Sequence, residues 1–204
     1  MEYIFLIIIL ILSVVIHEVA HGAAAFSLGD STAKDAGRLT LNPLKHLDPI
    51  GSVLLPLFLV LIRSPFLFGW AKPVPVNPYN FNYQKYGSAK VALAGPGSNL
   101  IIALFFGLVL RFFPETITAL PGLSLMFSYI IYINILLAVF NLLPIPPLDG
   151  SHILFTFLPL KMEKIKIFLN QFGLFILIFV IFFLFDYIIL FVRFIFNLIT
   201  GQVL

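Results

Sequence analysis

Cysteine is absent from this 204-residue sequence. The chain therefore has no disulfide bond, no cysteine-ligated metal and no thiol nucleophile. Charge is also scarce: charged residues make up 10% of the chain, whereas about a quarter is usual in soluble domains. In contrast, 61% of the residues are hydrophobic and 24 are phenylalanine. Such a chain cannot cover itself with a polar surface, and we expect the lipid bilayer to be its solvent.

The net charge of +3 is too small to indicate a nucleic-acid partner, and we expect none. The length corresponds to one domain. We therefore expect residues 1–204 to form a single integral-membrane domain of the all-α polytopic class.

Four stretches are apolar enough for a spanning helix, which needs about 20 such residues. They are residues 3–28, 88–112, 122–143 and 165–199, the last as one long helix or as two pieces interrupted near Asp186. The stretch 50–70 is different, because Pro56 and Pro65 lie inside it and Arg63 lies near its end. We expect it to be re-entrant, entering and leaving the membrane on one face.

The distribution of lysine and arginine favours this topology, since these residues concentrate on the cytoplasmic side of membrane proteins. Apart from Arg63 and Arg193, whose side is ambiguous, nine of the lysines and arginines fall on one side and only Arg111 on the other if residues 50–70 are re-entrant. If residues 50–70 cross fully, the division is four against six. We therefore expect a multi-pass protein of the cell membrane, with its N-terminus outside and the loop 29–90 at the cytoplasmic face.

Three polar residues lie within the first apolar stretch: His17, Glu18 and His21, in "VVIHEVAHGAAAF". Residues four apart share one face of a helix, so both imidazoles can bind one Zn²⁺ with Glu18 beside them. Ionisable groups in a membrane are costly and usually functional. A catalytic zinc takes three protein ligands and a water. The other histidines are His46 and His152, but the strongest candidate for the third ligand is Asp149.

Asp149 lies in "FNLLPIPPLDGSHIL", where three prolines must end the preceding helix. Non-helical backbone at membrane depth occurs where it lines a cavity or is buried in protein. Asp149 is therefore a metal-ligand candidate, and it is also suited to cap a short helix from Ser151. Asn141 is expected to point into the same cavity, and Asn134 either shares that cavity or hydrogen-bonds between helices.

Together, "HEVAH" (17–21), "AGPGSN" (94–99) and "FNLLPIPPLDG" (140–150) resemble the site-2 protease family of intramembrane zinc metalloproteases. The resemblance implies one zinc per chain held by His17, His21 and Asp149, with Glu18 as general base. It implies that Asn141 positions substrate or stabilises the oxyanion.

The resemblance also implies single-span membrane proteins as substrates, cleaved in their transmembrane segments in regulated intramembrane proteolysis. The active site would lie towards the cytoplasmic side. Residues 37–44 resemble the family's membrane-associated β hairpin, and residues 69–78 resemble its longer loop. With no room for PDZ or CBS domains, the chain looks like a minimal member.

The main alternative is a membrane metal transporter or sensor that uses the same His and Asp ligands. It explains the ligands but gives Glu18 no particular role. An aspartyl intramembrane protease is disfavoured because its G-x-G-D pattern is not met. A serine mechanism through Ser98 or Ser151 is disfavoured because the G-x-S-G pattern is absent. A scaffold would have no need of Glu18.

Overall fold

The structure, a computed structural model, describes residues 2–62, 70–120 and 122–202, which form helices joined by turns and extended segments and contain no strand. Four helices are long and apolar enough to cross a membrane, as expected for a multi-pass membrane protein. These four candidate spans are Ile4–Ser27, Gln84–Phe112, Leu123–Asn141 and Glu163–Phe183.

The α-helices of the described residues are numbered in chain order. They are α1 (Glu2–Ser27), α2 (Thr32–Asp35), α3 (Leu55–Leu61), α4 (Gln84–Phe112), α5 (Pro114–Thr118), α6 (Leu123–Asn141), α7 (Asp149–Phe157), α8 (Glu163–Phe183) and α9 (Phe185–Thr200). Short 3₁₀ turns lie at Pro43–Lys45, Pro78–Asn80 and Leu160–Met162, and a π-helix at Pro49–Leu54 leads into α3. The stretch 165–199 is thus two pieces, broken at Leu184 just before Asp186.

Helix α4 lies at the centre of the bundle, in contact with α1, α6, α7 and α9. Its buried face is rich in glycine and alanine, which allow helix backbones to approach closely in a membrane. Gly107 shows the effect, because a Cβ at this position would collide with the side chain of Ile199 in α9. Many large apolar side chains on the outer faces are exposed, among them Ile7, Phe175 and Phe182, as lipid contact requires.

The two ends of the stretch 50–70 meet. The backbone N–H of Trp70 donates to the Gly51 carbonyl over 3.2 Å, and the Ser52 hydroxyl donates to the Trp70 carbonyl over 2.7 Å. The Trp70 indole also packs against Gly51, where a Cβ would collide with it. Residues 63–69, which include Arg63 and Pro65, lie outside the described residues.

The β hairpin expected at 37–44 is not formed, and that expectation was wrong. Local bonds take the backbone donors that a strand partner would need: the N–H of Arg38 donates to the Ala33 carbonyl, and that of Asn42 to the Thr40 hydroxyl. Gly37 has a left-handed φ of 63°, and Pro43 has no N–H to donate. The segment is a bend followed by a 3₁₀ turn.

The charge distribution and the closed ends of 50–70 predict one topology. Cysteines introduced singly at Lys34 and Lys85 should both react with a membrane-impermeant maleimide from the cytoplasmic side. Background labelling is absent because the chain has no cysteine of its own. Arg111→Cys is the matched control and should react from the other side. Labelling of the first two positions from opposite sides would show that residues 50–70 cross the membrane.

Candidate metal centre

Helix α1 presents His17 and His21 on one face, towards α4. Their ring centroids are 4.6 Å apart at nearly a right angle, and their Nε2 atoms lie 3.0 Å from each other. Both residues are buried. The i, i+4 spacing therefore brings the two imidazoles to one point, as predicted from the sequence.

Asp149 completes this cluster from α7. Its Oδ2 lies 3.1 Å from Nε2 of His17 and 3.2 Å from Nε2 of His21. The turn after α6 brings it there, and Gly150 permits the turn because a Cβ would collide with the Leu142 and Leu143 carbonyls. The capping interpretation of Asp149 was wrong, since α7 begins at Asp149 itself and Leu148 is the cap residue.

Hydrogen bonds on the far side of each ring fix its tautomer. Nδ1 of His21 lies 2.7 Å from the Val91 carbonyl of α4, which can only accept, so Nδ1 carries the hydrogen. Nδ1 of His17 lies 2.6 Å from Oδ1 of Asn99. A neutral imidazole bonded in this way has its lone pair on Nε2, the arrangement usual for metal-binding histidines.

The centre thus brings two nitrogen lone pairs and a carboxylate oxygen within 4.8 Å of one another. The oxygen belongs to the Asp149 carboxylate, which lies against both imidazoles. Its Oδ2 is buried without a hydrogen-bond partner among the described residues. Two Nε2 atoms and a carboxylate oxygen that face one another suit a bound cation, and the two-nitrogen, one-oxygen set suits zinc.

Gly95 of α4 leaves the space in front of these ligand atoms open. A Cβ at this position would collide with Nε2 of both His17 and His21. The first glycine of "AGPGSN" therefore lets α4 approach the ligands while leaving room for an ion.

Behind His17 lies a buried amide network that the sequence analysis did not assign. The Asn99 amide donates to Oδ1 of Asn134 over 2.8 Å, and the Asn134 amide donates to the Ser13 hydroxyl over 2.9 Å. Asn99 and Asn134 are fully buried. Of the two alternatives for Asn134, the structure shows the inter-helix hydrogen bond. One rule could have pointed to Asn99 from the sequence: a metal-binding imidazole needs a hydrogen-bond partner for its other ring nitrogen.

Glu18 lines the same cavity as the ligand cluster and contacts an extended segment at residues 70–77. Its Oε2 accepts a hydrogen bond of 2.8 Å from the backbone N–H of Val74. Gly22, one turn along α1, makes room for Val74. A Cβ on residue 22 would lie only 2.9 Å from Cγ1 of Val74. This contact between residues 56 apart in sequence was also not predicted.

Two side chains hold the extended segment in place. Nη2 of Arg38 donates to the Lys72 carbonyl over 2.7 Å. The buried Asp30 carboxylate accepts from the Asn77 N–H over 2.7 Å and from the Asn80 amide over 2.8 Å. Burial raises the pKa of Asp30, but hydrogen bonds from Thr32, Asn77 and Asn80 outweigh it and lower that pKa.

A cavity of about 390 Å³ joins these groups. Asn141 lines it, with one amide hydrogen donated to the Leu137 carbonyl over 3.0 Å. His152 lines it too, whereas His46 is buried elsewhere, where its Nε2 donates to the Thr40 carbonyl. The five site residues predicted from the sequence therefore meet in one cavity: His17, Glu18, His21, Asn141 and Asp149.

The chain is similar in sequence to known proteins. The family described as "Peptidase family M50" matches residues 116–180, which contain α6, α7 and Asp149. A Bacillus subtilis (strain 168) protein named "Putative zinc metalloprotease YwhC" is 46% identical over 160 residues, which is 76% of this chain and 69% of that protein. Rip2 of Mycolicibacterium smegmatis, described in the same words, is 32% identical over 142 residues, which is 69% of this chain and 52% of that protein. No solved structure matches.

The similarity to the Bacillus protein covers more than two thirds of both chains and agrees with the ligand geometry. The family match falls on the segment that supplies Asp149 to the cluster. The chain belongs to peptidase family M50, the site-2 protease family of zinc metalloproteases.

Proposed function

We propose that this protein hydrolyses peptide bonds within or near transmembrane segments of other membrane proteins, with single-span proteins as its substrates. The observation that carries the proposal is the position of the metal centre inside an apolar helix bundle. His17 lies ten residues before the end of α1 at Ser27, which is about 15 Å along the helix axis. A scissile bond that reaches this centre must come from a chain that enters the membrane.

In this proposal His17, His21 and Asp149 hold one zinc ion. Bound zinc supplies the Lewis acidity that polarises the scissile carbonyl and activates a water. Asn99 and the Val91 carbonyl keep each Nε2 directed at the ion. Because these second partners lie on α4, the geometry of the centre depends on the packing of α1 against α4.

Glu18 acts as the general base. Its Oε2 is held by the Val74 N–H, which fixes the carboxylate and leaves Oε1 to take the proton from the attacking water. The same atom then passes the proton to the leaving amine. A transporter or sensor would use the three ligands but would not need a carboxylate fixed in this way.

Asn141 stabilises the oxyanion. An amide carries two N–H donors, and only one is used by the Leu137 carbonyl. The second is available to the oxygen on which negative charge develops. Such donors act strongly in a site from which water is largely excluded.

We propose that the centre faces the cytoplasm and that residues 50–70 are re-entrant. The nine lysines and arginines on one side support this orientation. The hydrogen bonds that join Trp70 to Gly51 and Ser52 support a segment that returns to its starting face. Water for hydrolysis then enters from the cytoplasmic end of the bundle.

The Glu18→Gln variant tests the general base independently of the metal ligands. The variant should fold, bind one zinc per chain and bind a single-span substrate. Its cleavage rate should fall by about 10²–10⁴, the usual contribution of positioned proton transfer. Zinc content and cleavage of one substrate are measured in parallel with the wild type. Near-normal cleavage by this variant would exclude Glu18 as the base, and zinc flux into proteoliposomes without proteolysis would favour the transporter.

The ligand assignment predicts metal loss. His17→Ala, His21→Ala and Asp149→Ala should each lower the zinc content sharply, because each removes one of three protein ligands. His152→Ala is the matched control, since His152 lines the cavity but lies outside the ligand cluster. It should keep full zinc content by elemental analysis. Full occupancy in Asp149→Ala would contradict the assignment of the third ligand.

Because the Val74 N–H holds Glu18, proline should lower the cleavage rate at position 74 and not at a neighbouring position without this hydrogen bond. Val74→Pro removes the N–H that holds Glu18, and kcat should fall about 10- to 100-fold, as expected for a hydrogen bond to a charged group. Zinc content and KM should change little. Val74→Ala keeps the N–H and should keep kcat.

Val76→Pro is the matched control, because Val76 also lines the cavity and its N–H makes no hydrogen bond within the described ranges. Equal loss of kcat in the two proline variants would show that the segment matters only for its shape.

A further inference from the structure

A second cleft adjoins the metal-site cavity. It has a volume of about 700 Å³ and is open to the outside. It lies between α4, α7 and the first turns of α8. Ser88, Pro147 and His152 line both cavities, so the two adjoin at these residues. A polypeptide with its scissile bond at the metal centre has a direct path into this cleft.

Six of the nine residues that line this cleft have polar side chains. Hydroxyl, amide and imidazole side chains line it together with one ammonium group, that of Lys166 in α8. Lys166 is the one formally charged residue in the described lining. Its Nζ lies 5.5 Å from the centroid of the Phe155 ring, and within the described part of the chain it makes no salt bridge.

The surrounding segments are also basic. Residues 84–92 and 158–171, which flank the cleft, carry five lysines and a single acidic residue, Glu163. A cleft lined by one sign of charge attracts ligands of the opposite sign. The chemistry therefore fits an acidic ligand and disfavours a basic one.

We infer that this cleft binds the polar segment that flanks the cleaved region of the substrate and selects acidic flanks over basic ones. The inference rests on the proposed function. Cytoplasmic flanks of membrane proteins are usually rich in lysine and arginine, so Lys166 would reject most of them by repulsion. Discrimination of this kind, by penalising wrong partners, is a common source of specificity.

A lipid headgroup is the other anionic candidate. The continuity with the metal-site cavity favours the substrate, because a lipid has no reason to reach the ligands through Ser88, Pro147 and His152. The ligand that we infer for the cleft is therefore the flanking peptide of the substrate.

The test uses three single-span substrates that differ only in three flank residues, which are Asp, Gln or Lys. The wild-type protein, in vesicles of zwitterionic lipid, should cleave the Asp substrate about tenfold better than the Lys substrate in kcat/KM. Lys166→Gln should abolish this preference, and Lys166→Glu should reverse it. Lys164→Glu makes the same charge change on the same helix but outside the cleft lining, and it should keep the wild-type preference.

Cleavage without any flank preference, or an equal change of preference in Lys164→Glu and Lys166→Glu, would overturn the inference. A cleavage rate that depends on the fraction of anionic lipid in the vesicles and not on the flank would also overturn the inference, if Lys166→Glu removed that dependence. Binding of the three substrates is measured as well. If Asp flanks bind more tightly but no substrate is cut, the proposed function fails while the cleft assignment stands.

Discussion

The close packing of α1 against α4 is the interaction on which the rest of the site depends. α1 supplies the two histidines and α4 supplies the partners that orient them, the Val91 carbonyl and Asn99. Gly95 allows this approach and keeps the space before both Nε2 atoms open. In lipid, polar groups must find partners within the protein, so the same contacts that satisfy the imidazoles also join the helices. Stability and metal geometry therefore have a common origin.

A second layer of the site comes from outside the spanning helices. The extended segment at 70–77 is held by Arg38 and Asp30 and donates the Val74 N–H to Glu18. The prolines of this segment have no backbone N–H to donate to a neighbouring strand, and its valines line the cavity. The Glu18 carboxylate is thereby held by a loop, whereas His17, His21 and Asp149 are positioned by helices alone. A loop can move to admit substrate without disturbing the ligand cluster.

The sequence was informative where chemistry follows from local spacing. The i, i+4 histidines and the proline-rich break before Asp149 predicted a ligand cluster that the structure brings together, and apolar length predicted the four spans. It was uninformative where contacts join distant segments, as for Asn99 and Val74, whose partners are 82 and 56 residues away. The hairpin at 37–44 failed because local acceptors and Pro43 removed its pairing groups. Of the two alternatives for residues 165–199, the structure shows the two pieces, and their break at Leu184 lies two residues before Asp186.

The central claim is that His17, His21 and Asp149 together hold a zinc ion inside the helix bundle. X-ray absorption at the zinc edge of the purified, membrane-reconstituted protein tests it most directly. The account predicts one zinc per chain with a tetrahedral shell of two imidazole nitrogens and oxygen ligands at about 2.0–2.2 Å, and loss of one oxygen ligand in Asp149→Ala. A shell with one imidazole or none, or a spectrum unchanged by that substitution, would contradict it.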